Sequence, residues 1–106
     1  MNTSANNFDS IEELIYQDGL SIKAVHIHKD LDMMIIILNT GTVMKRSLSF
    51  YKRLKGANQA QLTHFRFIGK GRGIHWPELD EDLSLKGFLR EEIQFSTGNK
   101  KRKQAA

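Results

Sequence analysis

The spacing of apolar side chains changes period several times along the chain, and each change marks an element. Phe8, Ile11, Leu14 and Ile15 recur at helical intervals, which predicts a short amphipathic helix over 8–16. Asp9 or Ser10 can cap it, Glu12 and Glu13 suit its first turn, and Asp18-Gly19 ends it. From Ile22 to His28 the pattern alternates. Val25 and Ile27 point one way and Ala24, His26 and His28 the other, as in a strand with one wetter face. Lys29-Asp30 reads as a turn. Met33 to Leu38 is apolar on both faces and β-branched at its centre, as expected for a central strand. Asn39-Thr40-Gly41 then predicts a hairpin turn into a strand over Thr42 to Arg46.

Beyond Ser47 the period lengthens. Leu48, Tyr51, Leu54 and Leu62 sit near helical spacing, with Gly56 and Asn58 interrupting. One short helix is expected near Phe50 to Leu54 and another turn near Ala57 to Leu62. Phe65 and Phe67 alternate with polar neighbours, predicting a fourth strand over His64 to Ile68. Gly69-Lys70-Gly71-Arg72-Gly73 is a loop, and Gly73 to Trp76 a fifth strand that Pro77 stops. A last helix is expected over Leu83 to Ile93, with Leu85, Phe88 and Leu89 inward and Gly87 weakening it. The result is an α+β fold, a mostly antiparallel sheet of about five strands packed with two or three short helices. No repeat or linker divides the chain. Residues 1–98 are expected to form one domain and 99–106 a disordered basic tail.

Composition narrows the chemistry. The 106 residues include no cysteine, which removes disulfides, thiol nucleophiles and thiolate metal sites. Met1 to Ser10 is mostly polar and resembles no export signal, so a cytoplasmic location is expected, with no membrane partner. The net charge of +4 is segregated. The first 32 residues hold six acids and two bases, residues 33–77 hold eight bases and no acid, and residues 78–98 return to six acids and two bases. Lys100, Lys101, Arg102 and Lys103 follow. Two arrangements fit. The basic middle can build a face for polyanions, with Lys52, Arg53, Lys55, Arg66, Lys70 and Arg72 as candidates. Alternatively it folds against the acidic flanks and the charges pair internally.

Candidate motifs are sparse. His26 and His28 project from one strand face at a spacing that metal sites use, but further ligands must come from His64, His75 or Asp80-Glu81-Asp82. Solvent-facing histidines are the plainer reading, and no metal or other cofactor is expected. The glycine loop over 69–73 precedes a strand, whereas a phosphate loop precedes a helix, so it reads as a flexible hairpin loop. His75-Trp76-Pro77 offers either an aromatic platform or, as favoured, a core Trp with Pro77 ending the ladder. Asp80-Glu81-Asp82 reads as the entry to the last helix, with Asp82 or Ser84 as its cap. No serine or histidine sits in a nucleophile motif, so no catalytic residue is assigned and the chain is not expected to be an enzyme.

The run Gly73-Ile74-His75-Trp76-Pro77-Glu78-Leu79-Asp80-Glu81-Asp82-Leu83-Ser84-Leu85-Lys86-Gly87-Phe88-Leu89 resembles the closing motif of a bacterial family, domain of unknown function 2442. The strand pair around the Gly41 turn, the basic and aromatic segment near Phe50 to Leu54 and the strand at Phe65 to Ile68 agree with it, so the resemblance covers about Ile22 to Leu89. It implies an α+β fold and no catalytic residue, and makes His75, Trp76, Pro77, Asp80 and Asp82 structural motif positions. It also implies relatives that carry a helix-turn-helix after this domain, for which too little sequence follows Leu89, and others encoded beside small toxin-like proteins. The leading expectation is a non-enzymatic binding module acting through a protein partner, in its specific form the antitoxin-like half of a small pair. The alternatives are a nucleic-acid-binding protein using the six basic residues, and a small metal-dependent enzyme.

Overall fold

The computed structural model describes residues 10–105, with side chains through residue 96. Two three-stranded antiparallel sheets, rather than one five-stranded sheet, make up the α+β fold. The first holds β1 (Ile22–His28), β2 (Met33–Leu38) and β3 (Val43–Ser47) in sequential order. The second holds β4 (Arg66–Ile68), β5 (Gly73–Trp76) and β6 (Glu81–Ser84), again sequential. Two short helices, α1 (Lys52–Lys55) and α2 (Gln59–Thr63), lie between the sheets in the chain, and α3 (Leu85–Ala105) follows them.

The opening helical segment is α-helical over 10–12 and becomes a π-helical turn at Glu13–Gln17, closed by Asp18 N–H donating to the Glu13 carbonyl at 3.0 Å. Its buried contacts are Ile11 and Ile15. Phe8 and the candidate cap Asp9 lie outside the described residues, while Ser10 is already helical.

A β-bulge between Ile22 and Ala24 explains how Ile22 and Ile27, five residues apart, are both buried. One extra residue, Lys23, shifts the pleat so that an odd separation reaches the same face. Opposite, Met34, Ile36 and Leu38 of β2 enter the core, while Met33, Ile35 and Ile37 are only half-buried. The central strand is therefore apolar on two faces but packed into the core on one.

Asn58, expected as an interruption, is the N-cap of α2. Its side chain accepts from Gln61 N–H at 2.8 Å, and the Gln61 side chain returns a bond to Asn58 N–H at 3.0 Å. This capping box lets a five-residue helix stand. Ile74, Trp76, Leu85 and Phe88 join Leu48, Leu54 and Leu62 to complete the core.

The last element departs from expectation at its start. Glu81 to Ser84 is a strand, because the register pairing Leu83 with Ile74 keeps an apolar side chain inward against β5. Asp82 therefore does not cap the helix. Ser84 does, its Oγ accepting from Gly87 N–H at 2.9 Å. The α3 backbone runs to Ala105, through the segment expected to be a disordered tail; the side chains beyond residue 96 lie outside the described residues.

Arg46 fixes α3 to the first sheet. It is 5% exposed, on the core face of β3. Its Nε donates to Glu91 at 3.1 Å, Nη1 to Glu92 at 2.9 Å and to the Lys45 carbonyl, and Nη2 to the Phe88 carbonyl at 2.8 Å. Burial pulls its pKa down, but the two carboxylates outweigh this and raise it. Tyr51 donates its hydroxyl to Glu91 at 2.6 Å, and burial, reinforced by that carboxylate, holds the phenol firmly protonated.

Candidate binding surfaces

The half-buried side of the first sheet follows directly from strand register. Across its three strands the outward rows read His28, Met33, Ser47; then His26, Ile35, Lys45; then Ala24, Ile37, Val43. Residues paired across strands project to the same face. The centre is thus an apolar stripe of Met33, Ile35 and Ile37 that continues to Val43, which is 55% exposed. His26, His28 and Lys45 rim it, and no carboxylate occupies an outward position of these strands. His26 and His28 are exposed, as expected. Among the described residues no three His, Asp or Glu side chains gather into a group able to hold a metal ion.

The closing motif is largely built inward. Trp76 is fully buried, donates its Nε1 hydrogen to the Leu62 carbonyl at 2.8 Å and lies 5.9 Å from the Phe65 ring. It is therefore unavailable as a platform, and Pro77 follows the end of β5. His75 Nδ1 meets Asp82 Oδ1 at 2.5 Å across β5 and β6. Asp80 turns the chain in the left-handed region at φ 52°. Arg53 anchors that turn through the carbonyls of Leu79 and Asp80, with the Asp80 carboxylate 3.7 Å away. His64 pairs with Glu78 at 2.6 Å.

The six candidate polyanion-binding residues fall on three separate elements. Lys52, Arg53 and Lys55 lie on α1, Arg66 on β4, and Lys70 and Arg72 in the loop between β4 and β5. Arg66 projects to the same face as His75 and so lies on the side of Asp82. Several charges of the acid-free middle are answered from the acidic flanks: Arg46 by Glu91 and Glu92, Arg53 by Asp80.

The glycine loop is pinned at two points. The Gly71 carbonyl accepts from Ile22 N–H at 2.8 Å, and the Arg72 carbonyl from Leu85 N–H at 2.8 Å. The loop thus joins β1, β4, β5 and the start of α3. Beside it opens a cleft of about 400 Å³, lined by Tyr16, Ile68, Arg72, Gly73, Asp82 and Ser84 among others. The Arg72 guanidinium lies 4.6 Å from the Tyr16 ring centroid, within cation–π range. Tyr16 was not singled out by pattern and Ser84 was named only as a helix cap, since the topology alone brings them to Arg72.

Among the described residues no helix is long and apolar enough to cross a membrane. The family model described as Protein of unknown function (DUF2442) matches residues 22–94. No curated protein matches. A crystal structure of a protein of unknown function from Rhodospirillum rubrum is similar at 28% identity and a TM-score of 0.61, covering 68% of this chain and 87% of that one. The solution structure of an uncharacterized protein from Chromobacterium violaceum shares the fold at 22% identity and a TM-score of 0.62, covering 85% of this chain and 82% of that one.

Proposed function

The chain belongs to the family described as Protein of unknown function (DUF2442), and from that footing we propose that it is a non-enzymatic binding module whose partner is a protein docked on the outer face of the first sheet. The observation that carries this reading is the stripe of Met33, Ile35, Ile37 and Val43 lying outward beside a packed core. An antiparallel sheet facing water on one side normally alternates apolar with polar. Here the central strand keeps apolar side chains on the wet side, and contiguous exposed apolar surface marks interaction sites.

The rim specifies the partner's chemistry. Lys45 is the charged side chain among the outward strand positions, with His26 and His28 beside the stripe, so the complement is an apolar centre with an acidic side chain placed to meet Lys45. In its most specific form the partner is a small toxin-like protein that the chain neutralises, a role supported by family-level analogy.

The test is co-purification from the source organism with the wild-type chain and with an Ile35→Glu/Val43→Glu variant, read by mass spectrometry and light scattering. One protein with an acidic side chain beside an apolar patch, retained by the wild type and lost by the variant, is expected, with Tm little changed. Self-association lost by the variant would make the occupant a second copy and overturn the reading. So would equal retention by both chains.

A further inference from the structure

The cleft beside the glycine loop lies apart from the outer face of the first sheet, and its chemistry points to a different ligand. Among the described residues the Arg72 guanidinium donates to no protein acceptor and lies over the Tyr16 ring, 4.6 Å from its centroid. A guanidinium carries five N–H donors arranged as a fork suited to carboxylates and phosphates. Its mount is rigid, because the backbone on either side bonds to Ile22 and Leu85. The other charged group lining the cleft, Asp82, is already engaged by His75. Asp82 keeps its own charge beside that imidazole, so Arg72 is the cleft's unengaged hydrogen-bond donor fork among the described residues rather than its sole charge.

The remaining lining decides what kind of anion fits. Ile68 is 37% exposed there, the Tyr16 ring adds apolar surface, and Gly73, paired with Ser84 on the same face, contributes no side chain. Ser84 Oγ already accepts from Gly87 N–H, which leaves its hydroxyl hydrogen to donate. A cavity of about 400 Å³ falls within the range of small-molecule sites, which are mostly apolar with a few placed polar groups. A bare inorganic anion would use the charge and leave the apolar wall unused.

We infer that this cleft binds a small organic carboxylate with an apolar or aromatic body, its carboxylate on Arg72 and Ser84 and its body against Ile68 and the Tyr16 ring. The ion pair supplies orientation and the apolar wall supplies selectivity over free phosphate.

The experiment is an amide-resolved NMR titration of the full chain with benzoate, phenylacetate and indole-3-acetate, with benzyl alcohol and inorganic phosphate as probes of each half of the ligand. At least one carboxylate should shift Gly69, Gly71, Gly73 and Ser84 saturably, with an affinity of roughly millimolar for ligands this small. Benzyl alcohol and phosphate should each bind at least about tenfold more weakly, since each lacks one recognised feature. Arg72→Gln should cost about tenfold with Tm unchanged, because the side chain is exposed, and Arg72→Lys should restore part of the loss. Absence of a saturable shift with all three carboxylates would overturn the inference, as would equal affinity for phosphate or indifference to Arg72→Gln.

Discussion

Arg46 shows how one side chain can decide whether a helix docks. Its donors meet Glu91, Glu92 and two backbone carbonyls while its guanidinium lies 4.9 Å from the Phe95 ring centroid. Removing one member of a buried ion pair strands the other, so Arg46→Met should cost about 3–5 kcal/mol in urea denaturation. Adding Glu91→Gln removes the stranded charge yet still offers Tyr51 an acceptor. The double variant should therefore recover at least about 1 kcal/mol, and additive losses would show that the pair is not coupled. Asp32 acts at the same end of β2, just before Met33. It holds a left-handed turn at φ 52° and accepts from Ser49 N–H at 2.8 Å and Ser49 Oγ at 2.7 Å. The Ser49 side chain, then its backbone N–H, draws the Asp32 pKa below the usual value. A depressed carboxylate stabilises fully above its unfolded pKa and loses that contribution as pH falls through the folded one. Ser49→Ala should thus flatten the acid limb of the stability profile below about pH 4 while leaving the shape near neutrality unchanged, as read by thermal melts across pH. Arg46 was also the residue most open to inference from pattern. It alternates with Met44 and Leu48, both buried, and a base at a core-facing strand position needs a buried partner.

At the scale of elements, what was legible followed periodicity and what was missed followed pairing. The bounds of β1, β2 and β5 match the alternation and the turn signals on either side. Strand β6 did not declare itself, because Glu81-Asp82-Leu83-Ser84 contains a single apolar residue and its strand state comes from the ladder with β5. Division into two sheets was likewise hidden, since every hairpin reads the same whether or not the next one joins its sheet. The basic candidates were named for an acid-free run, yet the topology distributes them over α1, β4 and a loop. The glycine loop read as flexible, but Gly71 seats one sheet against the other. A Cβ at Gly71 would lie 2.9 Å from the Ile22 carbonyl oxygen and 3.1 Å from the Ser21 Cβ, at φ 85°. Both the left-handed backbone and the contact oppose a side chain. Gly71→Ala should therefore destabilise by about 1–3 kcal/mol and loosen amide exchange at Ile22 and Leu85 together. Gly56→Ala, where nothing lies within 4 Å, serves as the control and should leave both amides protected.

For the whole molecule, folding redistributes a charge pattern that looks polarised in sequence. The acidic flanks reach into the basic middle through Glu91 and Glu92 to Arg46 and Asp80 to Arg53, and Lys86 of the second flank pairs with Glu12 of the first at 2.5 Å. Those contacts divide the positive middle among elements instead of gathering it on one, which bears on nucleic-acid binding. Phosphate binding depends on how many cations act together, and its affinity falls steeply with salt. Removing residues 99–106 takes away four of the 16 bases and leaves twelve against twelve acids. Anisotropy titrations of labelled DNA and RNA at two salt concentrations should then separate tail from body. Full-length chain should bind weakly and lose that binding on raising salt, whereas a chain ending at Gly98 should show none at the low salt. Salt-sensitive binding retained by the shortened chain would place a nucleic-acid surface on the body. Lys52, Lys55, Arg66 and Lys70 would then have to act across element boundaries, and the protein-docking reading of the first sheet would lose its priority.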